Sequence, residues 1–319
     1  MLLYTPPTTS SVPVVDLTPS FFGNERDRNA VADEIHKACR DTGFFYVANH
    51  AVSRDLIARA CEASREFFAL PEDEKRALTM IKGEPRGYEH AEFQVLDDGS
   101  PADLKESFSL AADVAAGDST PNAKANRWPS ALPGFRQTML TYHAVLSTLA
   151  AHVASLIATS LDMPADFFVE GYRLANPTLR LLRYPPQPAD AAFNQLGAGA
   201  HTDWGGITLL HQDDAGGLEV KSAEGTWLRA EPVPDTFVVN LGDLMQRWTN
   251  DLYHSTLHRV MNNRAERDRY STAFFYSPSF HTRVACLPTC VPAGEQPRYE
   301  PCTAGEHIHQ RRLTTYGVA

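Results

Sequence analysis

The run Gly197-Ala-Gly-Ala-His201-Thr-Asp203-Trp-Gly-Gly206 holds the residue types best suited to chemistry. In an extended chain, residues two apart point to one face, so His201 and Asp203 can present an imidazole and a carboxylate to the same point. That is two thirds of a 2-His-1-carboxylate site. Such a site suits Fe(II), because three protein ligands leave positions open for a co-substrate and dioxygen; Zn(II) or Mn(II) would accept the same donors. The third ligand must come from elsewhere in the chain. His254 and His258, in Asp251-Leu-Tyr-His-Ser-Thr-Leu-His-Arg-Val260, are both available. They lie four apart and share a face in a strand or a helix, so geometry alone does not choose. Further on, Arg269 and Ser271 alternate with Tyr270 and can face one side of a strand. A guanidinium buried there is costly without an anionic partner, so a bound carboxylate would account for it.

In their order along the chain, His-Thr-Asp, His-Arg-Val and Arg269-Tyr-Ser271 resemble the iron(II)- and 2-oxoglutarate-dependent dioxygenase superfamily, in its isopenicillin N synthase-like branch. The resemblance implies that His201, Asp203 and His258 are the metal ligands and that Arg269 and Ser271 receive the distal carboxylate of 2-oxoglutarate. Tyr184, in an Arg-Tyr-Pro similar to isopenicillin N synthase itself, is placed with them as a pocket hydroxyl. Arg86-Gly-Tyr and the stretch Asp103 to Phe108 resemble what the family carries at the edge of its substrate pocket. Arg86, Phe108, Arg183 and Phe275 are accordingly the substrate-side candidates. The implied cofactors are Fe(II), 2-oxoglutarate and O2. The implied reaction couples oxidative decarboxylation of 2-oxoglutarate, giving succinate and carbon dioxide, to oxidation of a C–H bond in a small-molecule metabolite. Hydroxylation is the usual outcome. Desaturation, ethylene formation or an isopenicillin N synthase-like oxidative cyclisation needs only a different placement of substrate, and a metal-binding sensor on the same fold is the remoter reading.

Composition narrows the partners. A chain of 319 residues with 43% hydrophobic and 21% charged residues can bury a large core. Its formal net charge of -10 argues against a nucleic-acid partner, which clustered Lys and Arg would serve. The five cysteines are scattered and odd in number, so they make no secreted disulfide framework. The N-terminus lacks the pattern of a signal peptide, and no apolar run is read as reaching membrane-spanning length, so a cytoplasmic enzyme is expected.

The elements that must position these residues follow from periodicity. Val12 to Leu17 reads as a strand, Asp27 to Thr42 as a helix and Gly43 to His50 as an aromatic strand, an opening similar to that of the same branch. Ala51 stands where the family has Gly, which implies a turn with no need of a positive φ. Ser53 to Leu70 reads as a helix capped by Ser53, and the charge run Pro71 to Lys75 as a solvated face. His50, His143 and His152 are read as packing residues. Ala115 to Asn126 reads as a loop that helps cover the pocket, and Pro133 to Leu161 as the longest helix. In Thr178 to Tyr184, alternation puts Arg180, Leu182 and Tyr184 on one face. Short strands then follow at Ile207–Gln212, Leu218–Lys221, Trp227–Ala230, Thr236–Leu241, Ser255–Met261 and Tyr270–Tyr276. The expected fold is mainly β with flanking helices, a double-stranded β-helix (jelly-roll) core with an α/β N-terminal segment. Its expected division is an N-terminal segment 1–125, a buttressing helix region 126–173, the jelly-roll core 174–285 and a C-terminal extension 286–319 that closes the pocket.

Overall fold

The computed structural model describes residues 12–81, 86–91, 102–113, 125–172, 175, 177–188, 195–261, 263 and 266–316. Most of the loop expected over Ala115 to Asn126 falls outside them.

The chain runs β1 (Val14–Asp16), α1 (Thr18–Phe22), α2 (Glu25–Asp41), β2 (Phe44–Ala48), α3 (Arg54–Phe68), α4 (Glu72–Arg76), β3 (Gly87–Glu89), β4 (Glu106–Leu110), α5 (Phe135–Ser160) and α6 (Val169–Tyr172). Its second half supplies β5 (Thr178–Tyr184), β6 (Ala198–His201), β7 (Ile207–Gln212), β8 (Leu218–Lys221), β9 (Trp227–Arg229), β10 (Thr236–Leu241), α7 (Asp243–Trp248), β11 (His258–Val260), β12 (Arg269–Tyr276), β13 (Arg283–Val284), β14 (Cys302–Thr303) and α8 (Ala304–Tyr316). Eight strands form one sheet in the order β1-β2-β10-β7-β12-β5-β4-β3, and β6-β11-β8-β9 form a second.

Period-2 alternation assigns each face of the large sheet. Tyr46, Leu182, Tyr184, Val238 and Ala273 point inward and pack with Ala198, Leu218, Val220 and Val260 of the small sheet, so the two sheets stack face to face around one interior. The residues between them in sequence point outward. Phe45, Val47, Leu179, Leu181, Leu209, Phe237 and Phe274 bury against α2, α3 and α5. The helices thus cover one side of the large sheet and leave the space between the sheets for a site.

The local signals are specific. Asn24 and Asp27 form a reciprocal capping box, which starts α2 two residues before the expected Asp27. Ser53 occupies the N-cap of α3, but its side chain makes no capping hydrogen bond. The Pro71–Lys75 run is not wholly solvated: Lys75 is buried, and its Nζ lies 2.8 Å from Glu106 of β4. Helix α5 is, contrary to the sequence expectation, long and apolar enough to span a bilayer by length and composition. Its apolar residues, among them Met139, Leu146, Leu149, Val153 and Leu156, are buried within the protein. The turn after β2 also departs from expectation, with Ala51 at φ 62° and Asn49 at φ 52°. Ala51 therefore occupies the left-handed conformation, against the expectation of a turn with no need of a positive φ.

Candidate metal and co-substrate site

Two adjacent strands of the small sheet carry the histidines. In the antiparallel pairing of β6 with β11, His201 stands opposite His258, and their rings lie 4.3 Å apart between centroids. Asp203, two residues past His201, comes to the same point; a donor atom from each of the three lies within 4.8 Å of the others. His258 Nε2 is 4.0 Å from Asp203 Oδ1. His254, the other histidine the spacing allowed, is exposed and outside this cluster.

The remaining atoms of each side chain are already engaged. His201 Nδ1 is 2.8 Å from the Gly199 carbonyl and His258 Nδ1 is 3.0 Å from the Thr256 carbonyl. Each Nδ1–H donates to its carbonyl, which fixes the tautomer and leaves Nε2 as a lone-pair donor at the shared point. Asp203 Oδ2 accepts from Thr208 Oγ1 at 2.6 Å and from Asn240 Nδ2 at 2.7 Å, so Oδ1 is the oxygen left to face the histidines. Burial, and next the neighbouring His258, push the His201 imidazole down to about 3. Burial alone would raise the Asp203 carboxyl, but His258, His201 and the two hydrogen bonds outweigh it and hold it below the ordinary carboxylate range. A neutral imidazole at His201 beside an ionised carboxylate at Asp203 is the protonation state a divalent metal requires of these two donors. The residues present therefore fit an iron site of the facial 2-His-1-carboxylate type.

A second cluster lies on the same interior. Arg269, 2% exposed, opens β12 opposite Tyr184 of β5, and its guanidinium stacks 4.6 Å over the Tyr184 ring. Its Nη1 is 3.4 Å from Ser271 Oγ and its Nη2 3.4 Å from Gln212 Oε1, while Nε donates to the Gly216 carbonyl. Among the described residues, no carboxylate forms an ion pair with this buried cation. Burial raises the Tyr184 phenol, against the opposing pull of Arg269 and Ser271.

The substrate-side candidates divide. Phe275 faces inward and is half-buried, in register with Thr208, the residue that holds Asp203. Arg86 is buried at the same end, its Nη1 3.3 Å from Thr178 Oγ1, with burial drawing its guanidinium down to about 10. Phe108 and Arg183 do not face the interior. Phe108 is fully buried on the outer face in an aromatic cluster with Phe67 and Phe135. Arg183 alternates out of register with Tyr184 and pairs outside with Asp268, at 2.7 Å, and with Glu106.

Several inward residues are not among the named site candidates, although Asp103, Lys105 and Ser107 lie in the stretch Asp103 to Phe108 expected at the pocket edge. Asp103 Oδ1 accepts from the Gly199 backbone N–H at 2.8 Å, tying the start of β4 to the strand that carries His201. Its other oxygen pairs with the buried Lys105 ammonium. Glu89 binds Arg180 at 2.9 Å and Ser107 Oγ at 2.6 Å. The signal is available: Lys105, Ser107 and Ser109 alternate with apolar or outward-paired residues at strand period. Without a partner strand to orient it, the alternation does not say which face is inside.

A His-Asp-His triad of the facial type on a helix-backed β sandwich, with a buried arginine on the same interior, fits the site of a non-haem metal enzyme. The comparisons agree. Residues 175–278 match the 2OG-Fe(II) oxygenase superfamily, and residues 12–131 match the family described as non-haem dioxygenase in morphine synthesis N-terminal. The chain is 38% identical to a 2-oxoglutarate-Fe(II) type oxidoreductase, hxnY, of Emericella nidulans, over 96% of this chain and 91% of the relative. It is 34% identical to homoarginine-6-hydroxylase 2-ODD-233 of Oryza sativa subsp. japonica, over 96% and 98%. Among solved structures, a full-length Neurospora crassa protein in complex with alpha-KG and thymine superposes with a TM-score of 0.86 at 31% identity, covering 96% of this chain and 97% of that one. The chain belongs to the iron(II)- and 2-oxoglutarate-dependent oxygenase superfamily, whose core is a jelly roll, and it is an oxidoreductase of that type.

Proposed function

We propose that the protein hydroxylates a small-molecule metabolite, with His201, Asp203 and His258 holding Fe(II) and with Arg269, Ser271 and Tyr184 receiving the distal carboxylate of 2-oxoglutarate. The observation that carries this reading is Arg269: a buried guanidinium without a carboxylate partner among the described residues, on the same interior as the triad. A carboxylate from the co-substrate would compensate it, and the Ser271 and Tyr184 hydroxyls would complete the cradle. Bound iron supplies the oxidising power. The chain's own residues supply placement and exclusion of water. Asp203 stays ionised, the His201 imidazole stays neutral, and the stacked Tyr184 keeps the arginine's planar face from solvent.

Substrate would meet the metal at the end of the interior where Phe275, Thr178, Arg180 and Arg86 gather. That wall offers the aromatic face of Phe275 beside polar groups, Arg86 next to Thr178 and Arg180 paired with Glu89, which suits a small planar molecule with polar substituents. Hydroxylation is favoured because the rice relative is named a hydroxylase, and a small planar substrate because the Neurospora neighbour was crystallised with thymine.

The test is anaerobic loading of the purified protein with Fe(II) and 2-oxoglutarate. A weak visible charge-transfer band is expected, together with succinate formed one-for-one with oxidised product under air. Arg269→Ala should raise the 2-oxoglutarate requirement at least tenfold and leave Fe(II) binding in place. A well-folded, iron-replete protein with no band would overturn the co-substrate assignment, and product formed without succinate would favour the cyclase-type oxidase.

A further inference from the structure

The loop that carries Asp203 is held from two directions. From inside, Thr208 and Asn240 bind its carboxylate. From outside, the first turn of α7 donates into its backbone: Asp243 N–H to the Asp203 carbonyl at 2.8 Å, Leu244 N–H to Gly205 at 3.1 Å and Gly242 N–H to Gly206 at 2.9 Å. The fit is close enough that a Cβ on Gly242 would lie 2.3 Å from the Gly205 oxygen. This much is provided by neighbouring elements of the core.

A further contact arrives from the end of the chain. Arg311 of α8 donates from Nη2 to Thr202 Oγ1 at 3.1 Å, and its Nε lies 2.9 Å from Asp243 Oδ2. Thr202 is the residue between His201 and Asp203. The other oxygen of Asp243 accepts from Ser255 Oγ at 2.7 Å, and Ser255 stands three residues before His258 in the segment that delivers it. One guanidinium therefore connects the C-terminal helix to Thr202 directly and, through Asp243, to the segment that brings in the third histidine. The helix is fixed where it begins. Thr303 and Glu306 cap it reciprocally, and Ala304 and Gly305 donate to the carbonyls of Thr282 and Phe280. Arg311 sits two turns beyond that fixed start, so its position is set by the helix and not by the loop it touches.

We infer that α8 is a latch on the metal-binding loop and that Arg311 is a positioning residue whose contacts with Thr202 and Asp243 set the affinity for Fe(II). The inference rests on the proposed ligand set. Arg311 touches no ligand side chain, so its effect passes through the backbone between His201 and Asp203 and through the approach to His258. An ion pair that merely held α8 down would change stability and leave the metal site as it was. The Lys variant separates these cases: it keeps the positive charge but lacks the planar fork that reaches Thr202 and Asp243 together.

The experiment uses the full chain with Arg311→Ala, Arg311→Lys and Thr202→Val. Free Mn(II) is followed by electron paramagnetic resonance during titration, and Fe(II) by the anaerobic charge-transfer band at saturating 2-oxoglutarate. Loss of an outer partner of a metal site weakens metal binding by about 10- to 100-fold. For this more distant contact, Arg311→Ala and Arg311→Lys are expected to weaken both metals at the low end, about 10-fold. Thr202→Val, which removes the Thr202 contact and keeps the Arg311–Asp243 pair, should act in the same direction to a smaller degree. The melting temperatures of the metal-free variants should stay near that of the metal-free parent, with the rise on adding Mn(II) reduced. Metal affinities within twofold of the parent for both Arg311→Ala and Thr202→Val would overturn the latch. If Arg311→Ala does not fold, Thr202→Val decides alone. Failure of the underlying ligand assignment would look different: His258→Ala would then bind Mn(II) as tightly as the parent.

Discussion

Asn240 donates from Nδ2 to Asp203 Oδ2 at 2.7 Å, a bond that runs from the large sheet to the metal loop at the end of the small one. It decides which carboxylate oxygen faces the histidines, because Thr208 binds the same atom at 2.6 Å and leaves Oδ1 for the shared point. Asn240→Leu removes one of the two donors without adding charge. Metal binding should weaken by about 10- to 100-fold, the usual effect of losing an outer partner of a metal ligand. Leaving a buried carboxylate oxygen with one partner fewer should also cost stability, on the order of 1–3 kcal/mol. A Mn(II) titration and a denaturant melt read the two effects separately. Unchanged Mn(II) affinity would mean that Thr208 alone orients the carboxylate.

The histidine pair that spacing left open is resolved by strand register. His258 faces His201 across β6 and β11, whereas the exposed His254 lies before β11 with its backbone N–H on the Cys39 carbonyl. His258→Ala should abolish the Fe(II)/2-oxoglutarate charge-transfer band and turnover, and His254→Ala should leave the band intact. A normal band in folded His258→Ala protein would refute its place in the triad.

What sequence reveals and what it withholds have one physical cause. Residues two apart on one strand are related by the pleat alone, so His201 with Asp203, Arg269 with Ser271 and Arg180 with Tyr184 can be grouped before any fold is known. Which strand faces which depends on pairing partners far away in sequence. That is why Arg183 and Phe108 are expected near the pocket although their strands turn them outward, why the inward members of the Asp103 to Phe108 stretch are not told apart from the outward ones, and why Asn240 carries no signal of its own. The start of α2 is displaced for a more local reason: Asn24 caps it from outside the apolar periodicity. Helix α7 lies within six residues between two strands and is hidden by its shortness. The latch through Arg311 joins residues 109 positions apart, and no spacing rule reaches that far.

Ala51 gives a prediction from strain. Its φ of 62° costs about 1–2 kcal/mol for a residue with a Cβ, and glycine escapes that cost while loosening the unfolded chain by about 0.4–1 kcal/mol. Ala51→Gly should therefore stabilise the protein by roughly 0.5–1 kcal/mol. A small rise in melting temperature with unchanged Mn(II) affinity is the expected result. A lower melting temperature would show that the surrounding turn already relieves the strain.

His152 gives a prediction from pH. On α5 it stacks 4.2 Å from Phe21, with Nε2 2.7 Å from Ser20 Oγ. Ser20 gives its one hydroxyl proton to the Leu17 carbonyl, so the imidazole must donate from Nε2, and any further proton has to go to Nδ1. Burial, with the Arg28 guanidinium adding to it, draws the imidazole down to about 4 from its ordinary 6.5. The unfolded chain thus binds the extra proton between about pH 6.5 and 4 while the folded protein does not. Stability present above about pH 6.5 is lost as the pH falls through that window. With the ring only partly buried, the loss is about 1 kcal/mol after discounting for solvent screening. His152→Gln keeps a donor for Ser20 and cannot titrate. Its melting temperature should fall less than the parent's between pH 7.5 and pH 4.5, by about 2 °C. Parallel melting curves for the two proteins across that range would show that His152 takes up its proton equally in both states, and would move the acid sensitivity to the buried His50 and His143 and the half-buried His211.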